Sequence, residues 1–72
     1  MSASIAICEG KSALPIWEIP PTMFNIIRNK VKTYMQPYQP CIVFFKLDNG
    51  TCMIAYNGFI GYAVTECLTC VI

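Results

Sequence analysis

The sequence predicts a small α+β domain with the order β-α-β-β-β, in which one helix packs on an antiparallel sheet. Two Asn-Gly pairs, Asn49-Gly50 and Asn57-Gly58, separate three runs rich in β-branched and aromatic residues. Asn-Gly is the preferred centre of a two-residue hairpin turn, because both central positions need a positive φ. These runs predict a three-stranded meander within residues 41–68, with strands at about 41–48, 51–56 and 59–68.

Two-residue turns fix which residues lie opposite each other in the meander, and so they define two faces. The face expected to meet the core consists of Val43, Phe45, Leu47, Cys52, Ile54, Tyr56, Phe59, Gly61 and Ala63. The small residues Gly61 and Ala63 leave a trough in which a helix can lie. The opposite face is expected to stay partly open, with one charge among Ile42, Phe44, Lys46, Met53, Ala55, Ile60, Tyr62 and Val64.

The helix is predicted between Thr22 and Pro37. Its evidence is a set of apolar residues at the spacing of one helical stripe: Phe24, Ile27, Val31, Tyr34 and Met35. Pro20-Pro21-Thr22 suits the first turn and the cap, and Pro37 ends the segment. This stripe is expected to fill the trough of the sheet.

A short strand is predicted ahead of the helix, in residues 3–8, where Ile5 and Ile7 fall on one face. A chain of 72 residues is near the lower size limit for one hydrophobic core. We therefore expect a single domain, residues 1–72, with the N-terminal strand joining the meander.

The composition excludes several functional classes and favours a binding protein. The chain is 56% apolar and 12% charged, so apolar side chains must remain on its surface, where they usually mark contact sites. A net charge of +1 does not favour binding to nucleic acid. The absence of histidine removes the commonest general base. We expect no enzymatic activity.

Five cysteines, an odd number, and no secretory signal in "MSASIAICEGK" favour free thiols in a cytoplasmic protein. Cys67-Leu-Thr-Cys70 has the spacing of half a zinc site or of a redox pair. No second Cys-x-x-Cys and no histidine can complete the zinc site, so Cys8, Cys41 and Cys52 would have to converge on it. We expect no metal and no cofactor.

Residues 51–72 are long and apolar enough to be weighed as a membrane span, with Glu66 as their single charge. Asn57-Gly58 at the centre and the β-branched and aromatic residues around it favour strands instead. We expect no membrane partner. A small membrane-anchored protein remains the alternative, as does a self-associating structural protein whose open sheet face pairs with a copy of itself.

The segment "SALPIWEIPPTMF" contains Trp17, the chain's only tryptophan, among three prolines. The prolines argue against the interior of a helix or a strand and predict a stiff loop. Such a loop can anchor a partner through Leu14, Ile16, Trp17 and Ile19, because tryptophan is common at interface hot spots. Alternatively, Trp17 folds back and covers the sheet or the start of the helix.

Two further groups complete the expected binding surface. Arg28 and Lys32 share the polar side of the predicted helix, which is either simply solvated or faces an acidic partner or a nucleic acid; direct contact with nucleic acid is expected to be secondary at most. The open sheet face contributes Phe44, Met53, Ile60 and Tyr62.

The size, the opening "MSASIAICEGK", the single helix and the compact meander resemble a small bacteriophage-encoded transcription antiterminator and inhibitor that binds host RNA polymerase. The resemblance implies docking near the RNA exit channel, altered promoter use and read-through of terminators in the host cytoplasm. Such regulators share no signature, so the resemblance assigns no residue a role. The sequence therefore predicts a non-enzymatic regulator that binds a protein.

Overall fold

The computed structural model describes residues 4–8, 10 and 12–71, and it folds them into one antiparallel sheet. The seven strands are β1 (Ser4–Cys8), β2 (Leu14–Trp17), β3 (Val31–Met35), β4 (Pro40–Lys46), β5 (Thr51–Tyr56), β6 (Phe59–Val64) and β7 (Leu68–Cys70). Their order across the sheet is β3-β2-β6-β5-β4-β1-β7. The prediction of an α+β fold is wrong, because the structure is 55% strand and 5% helical, with no helix of seven or more residues in the part described.

The segment predicted as a helix contains a long turn and a strand instead. Residues 23–28 form turns, and Val31–Met35 forms β3. In β3 the buried Met35 alternates with the exposed Lys32 and Tyr34, which is the period of a strand. Leu14 and Ile16 of β2 lie opposite Met35 and Thr33, so a neighbouring strand satisfies the backbone of this segment.

Strand β2 shows that the prolines do not exclude a strand here. Pro15 lies within β2 and pairs with Tyr34 of β3. On its other side β2 meets β6 through a single bridge, Trp17–Tyr62. Proline has no N–H to donate, so it is tolerated in a strand where few ladder hydrogen bonds are needed, as on the side of β2 that faces β6. Ile16 occupies the trough beside Gly61 that was predicted to hold a helix.

The turn between β5 and β6 confirms the predicted register. Tyr56 lies opposite Phe59 and Cys52 opposite Ala63. Asn57 and Gly58 have φ values of 50° and 83°, as a turn with two positive φ angles requires.

The turn between β4 and β5 differs from the prediction by one residue. The N–H of Leu47 donates to the carbonyl of Thr51 at 2.8 Å, so the loop has three residues and ends at Gly50, whose φ is 81°. This shift places Phe45 opposite Met53 and turns it outward, which corrects its predicted core position. A bulge between Val43 and Phe45 then restores the inward direction of Val43, opposite Ile54.

The third predicted strand ends early. β6 stops at Val64, and a 3-10 turn, Thr65–Cys67, leads to β7, which pairs with β1. β6 and β7 are four strand spacings apart in the sheet order, or roughly 19 Å if the sheet were flat. The chain from Val64 to Leu68 can span at most about 14 Å. The sheet must therefore curl until its β7 end approaches the end of β6.

Curling gives the sheet an inner face that forms the core. β1, β2, β3, β4, β5 and β6 all contribute to one cluster of buried side chains: Ala6, Cys8, Leu14, Ile16, Met35, Cys41, Val43, Cys52, Ile54 and Ala63. Met35 is 0% exposed although β3 is an edge strand, which shows that the curled sheet covers its own edge. Two predicted core residues lie elsewhere: Leu47 is half-buried beyond the end of β4, and Phe59 is 42% exposed.

Residues 51–70, most of the segment weighed as a membrane span, form β5, β6, the 3-10 turn and β7. Within the described ranges, none of the helical segments has the length and apolar character needed to cross a membrane.

Candidate protein-docking surface

The outer face of the sheet carries two rows of apolar side chains that cross several strands. Strand pairing links Trp17 to Tyr62, Tyr62 to Met53, and Met53 to Phe45, which we call the aromatic row. Trp17, Tyr62 and Met53 each adjoin a buried inner-face residue, so alternation along their strands directs them outward. Phe45 pairs with Met53 and is 37% exposed.

The second row, which we call the aliphatic row, consists of Ile5, Ile42, Ala55 and Ile60. Pairing of β1 with β4, of β4 with β5 and of β5 with β6 places these four residues side by side. Ile5, Ile42 and Ile60 are 38%, 45% and 48% exposed. The two rows together form a patch on the side of the sheet away from the core.

One shallow depression is lined by three of the four members of the aliphatic row. Ile5, Ile42 and Ala55 line it together with residues from the adjoining ends of β4 and β5. Side chains of three different strands therefore present one continuous apolar wall, which is the geometry of a contact surface rather than of scattered exposed residues.

Lys32 borders this patch from the edge strand β3. Its Nζ reaches past β2 and donates a hydrogen bond of 2.8 Å to the carbonyl oxygen of Ile60. That carbonyl is free to accept because the ladder between β2 and β6 consists of one bridge, at Trp17–Tyr62. A cation therefore marks the rim of the apolar patch.

The loop of residues 18–30, between β2 and β3, is held by two asparagine side chains. Asn29 bonds both backbone groups of Ile19: its Oδ1 accepts from the N–H at 3.2 Å, and its Nδ2 donates to the carbonyl at 2.7 Å. Asn25 does the same across a shorter span, accepting from the N–H of Thr22 at 2.9 Å and donating to the carbonyl of Pro20 at 3.0 Å. These bonds replace the ladder that the loop lacks.

The tip of this loop carries the most exposed apolar side chains of the described chain. Met23, Phe24 and Ile27 are 92%, 98% and 95% exposed. The helix prediction placed Phe24 and Ile27 in the core, so their position is the reverse of the expected one. Met23 also lines a depression with Val64, which places the loop beside the end of β6.

The structure divides the binding residues that the sequence predicted. Leu14 and Ile16 are 7% and 0% exposed on the inner face, so they pack in the core and cannot present a surface to a partner. Trp17, Met53, Ile60 and Tyr62 belong to the two rows, and Lys32 borders them through its bond to the Ile60 carbonyl. Ile19 and Arg28 are exposed in the loop of residues 18–30, and Phe44 is half-buried at the bulge of β4.

Sequence reasoning missed Ile5 as a surface residue, and it placed Phe45 on the wrong face. Ile5 could have been found, because it alternates with Ala6 and Cys8 in the N-terminal strand, and the smaller residues suit the tightly curled inner face. Phe45 could not have been found, because its direction depends on a turn one residue longer than predicted and on the bulge that follows.

The five cysteines are free thiols, three of them buried. Burial raises the pKa of Cys41 to about 11, with smaller contributions from Cys52, Cys8 and Cys70. Burial likewise raises the pKa of Cys8, and the neighbouring Cys67 adds to this effect. The described residues contain no group of three or more Cys, Asp or Glu side chains that could hold a metal ion.

Comparison of the chain with models of protein families, with curated proteins and with solved structures finds no match in any of the three.

Proposed function

We propose that this chain is a small, non-enzymatic, cytoplasmic binding protein that docks on another protein through the outer face of its sheet. The observation that carries the proposal is the aliphatic row, in which Ile42, Ala55 and Ile60 stand side by side on three strands. Fully burying an exposed isoleucine contributes about 1.5–3 kcal/mol. Ile5, Ile42 and Ile60 are 38%, 45% and 48% exposed, so covering the row contributes a part of that amount for each of them.

The shape of the outer face defines the partner that fits it. A sheet face with apolar side chains on adjacent strands accepts the apolar face of another sheet or of an amphipathic helix. Trp17 and Tyr62 adjoin the row and supply the aromatic residues common among interface hot spots. Lys32 at the rim favours a partner with a carboxylate beside its apolar surface.

The narrower partner that we propose is bacterial RNA polymerase, with the chain acting as a phage-encoded regulator of transcription. The support for it is the resemblance of the opening residues and of the meander. The single helix, which also contributed to that resemblance, is absent from the described residues.

Affinity capture tests both the docking surface and the narrower proposal that the partner is RNA polymerase. Tagged wild type and the double variant Ile42→Ser/Ile60→Ser are incubated with bacterial lysate and, separately, with purified bacterial RNA polymerase. Wild type is expected to retain the polymerase, and the double variant is expected to lose it. Tyr38→Ser removes an exposed aromatic side chain at the opposite end of β3 from the loop, and it serves as the matched control.

One result would contradict only the choice of RNA polymerase as partner, and another would contradict the docking surface itself. If wild type retains a protein other than the polymerase and the double variant loses it, the narrower partner is wrong and the docking surface stands. If the double variant retains every protein that wild type retains, the outer face is not the docking surface.

Self-association through the same face is the second candidate, because a second copy of this sheet can also cover the apolar side chains that adjoin on β4, β5 and β6. Light scattering over a dilution series separates the candidates, because a self-associating chain changes mass with concentration in the absence of any other protein.

A further inference from the structure

The tip of the loop between β2 and β3 is a second apolar surface that shares no residue with the two rows. Met23, Phe24 and Ile27 are each at least 92% exposed, so almost no part of the described chain contacts their side chains. Three large apolar residues so fully exposed within five positions form a projecting tip rather than a groove. This surface does not depend on the docking function proposed above.

The tip is rigid although it projects. The Asn29 and Asn25 side chains bond backbone groups on the opposite side of the loop, and the N–H groups of Asn29 and Arg28 donate to the Asn25 carbonyl at 2.7 and 2.9 Å. Pro20 and Pro21 restrict the chain that leads to the tip. A loop already ordered in this way loses little conformational entropy when it is buried.

Charge accompanies the apolar tip. Arg28 and Lys30 follow it directly and are exposed, and Lys32 lies two residues beyond them. Glu18 is the one acidic side chain between residues 18 and 32. The base of the loop is therefore cationic, in a chain whose overall net charge is only +1.

We infer that the tip inserts into the surface of an anionic lipid bilayer, with Met23, Phe24 and Ile27 among the acyl chains and Arg28 and Lys30 at the phosphate level. A bilayer accepts any projecting apolar tip, whereas a protein partner would need a matching cleft. Apolar side chains bordered by Lys and Arg are the combination that binds the membrane interface. This peripheral contact differs from a membrane span and revises the expectation that the chain has no membrane partner.

Vesicle flotation tests the inference. The full chain is mixed with vesicles of phosphatidylcholine alone, or of phosphatidylcholine and phosphatidylglycerol in equal amounts. Wild type is expected to float with the mixed vesicles and to bind them less as salt is raised. Phe24→Ser and Ile27→Ser are expected to weaken binding about tenfold each. Arg28→Gln and Lys30→Gln should each weaken it about fivefold on mixed vesicles only.

Controls distinguish the tip from the rest of the surface. Tyr38→Ser and the double variant Ile42→Ser/Ile60→Ser are expected to float like wild type. Because the side chain of Phe24 is 98% exposed, Phe24→Ser should keep the urea midpoint of wild type, so its loss of binding cannot be a loss of fold. In a Phe24→Trp variant with Trp17→Phe, the tryptophan emission should shift to the blue when mixed vesicles are added.

Several results would overturn the inference. They are the failure of wild type to float with either kind of vesicle, flotation of Phe24→Ser equal to that of wild type, and loss of flotation in the Ile42→Ser/Ile60→Ser variant alone. A protein from the lysate that Phe24→Ser loses, in the absence of any vesicle binding by wild type, would assign the tip to a protein partner instead.

Discussion

Gly61 of β6 lies against Ile16 of β2, so closely that a Cβ at position 61 would be 2.7 Å from Ile16 Cγ2 and 2.7 Å from the carbonyl oxygen of Trp17. This contact joins the β2–β3 pair to the rest of the sheet, because β2 and β6 share one backbone bridge. The close approach of the two strands therefore depends on the absence of a side chain at Gly61.

Gly61→Ala is expected to lower the free energy of unfolding by about 1–3 kcal/mol, because one of the two contacted atoms belongs to the backbone and cannot rotate away. Urea denaturation measures the change. Gly10→Ala is the matched control: a Cβ there would meet no atom within 4 Å, and its effect should stay within about 0.5 kcal/mol. Equal midpoints for the two variants would show that β2 does not pack on Gly61.

Ile16 and Trp17 are neighbours in sequence that face opposite sides of the sheet. Ile16→Ala is expected to cost about 2–5 kcal/mol of stability, because the side chain is 0% exposed in the core. Trp17→Ala should cost less stability, because the ring is half-buried on the outer face, and it should weaken partner binding by about 2 kcal/mol or more. Denaturation midpoints and partner affinities measured for both variants test this expectation. If Trp17→Ala lowers the midpoint more than Ile16→Ala does and leaves the affinity unchanged, Trp17 belongs to the core.

Asn29 is expected to control the order of the loop. Asn29→Ala removes both hydrogen bonds to Ile19, so the amide of Ile19 should exchange its hydrogen faster. Global stability should fall by at most about 1 kcal/mol, because these bonds are exposed. Exchange monitored by NMR checks this, with Gln39→Ala at another exposed position as the control. Unchanged exchange at Ile19 would show that the Asn29 side chain is not needed to order the loop.

Stability is expected to fall at alkaline pH because of the buried thiols. The pKa of Cys41 is raised from 9.0 to about 11, so the folded thiol keeps its proton where the unfolded thiol loses it. The contribution of the protonated Cys41 thiol to the free energy of unfolding is complete below pH 9. It is lost as pH rises to about 11, by at most about 1.4 kcal/mol per pH unit.

Urea midpoints measured across that pH range test this expectation. Cys41→Ala should reduce the slope of stability against pH, and the raised pKa values of Cys8 and Cys52 should keep it from vanishing. An identical slope in wild type and Cys41→Ala would mean that this thiol does not govern the alkaline loss.

The strands of the meander could be predicted because local turn chemistry determines them. Asn57-Gly58 fixes one turn, and its register is as expected. Asn49-Gly50 predicted a turn at the right place and of the wrong length, since only Gly50 has a positive φ there. The bulge that follows then reverses the face of Phe45 and leaves Val43 inside, and no local signal marks it.

The predicted helix was wrong because its apolar residues fit two periods. Val31 and Met35 match a helical stripe, and with Thr33 they also match the alternation of a strand. The choice between these two structures depends on β2, a strand that contains Pro15 and that the sequence predicts as a loop. Long-range pairing therefore decided the local structure, and the same error hid the exposed tip at Phe24.

Much of the candidate site could nevertheless be predicted. Met53, Ile60 and Tyr62 were assigned to the open face from the turn at Asn57-Gly58, and the structure places them there. The outward direction of Ile5 could have been found from its alternation with Ala6 and Cys8, but its place beside Ile42 depends on β1 pairing with β4. A pairing between segments so distant in sequence has no signature in either one.

The outer face of the sheet is proposed to bind a protein partner, and one affinity measurement decides whether it does. The partner retained in the capture experiment is titrated by calorimetry against wild type and against Ile42→Ser/Ile60→Ser, both shown to be folded by equal urea midpoints. We predict that the double variant binds at least about tenfold more weakly, because two half-exposed isoleucines of the aliphatic row lose their apolar contacts. Equal affinity for the two proteins would contradict the claim.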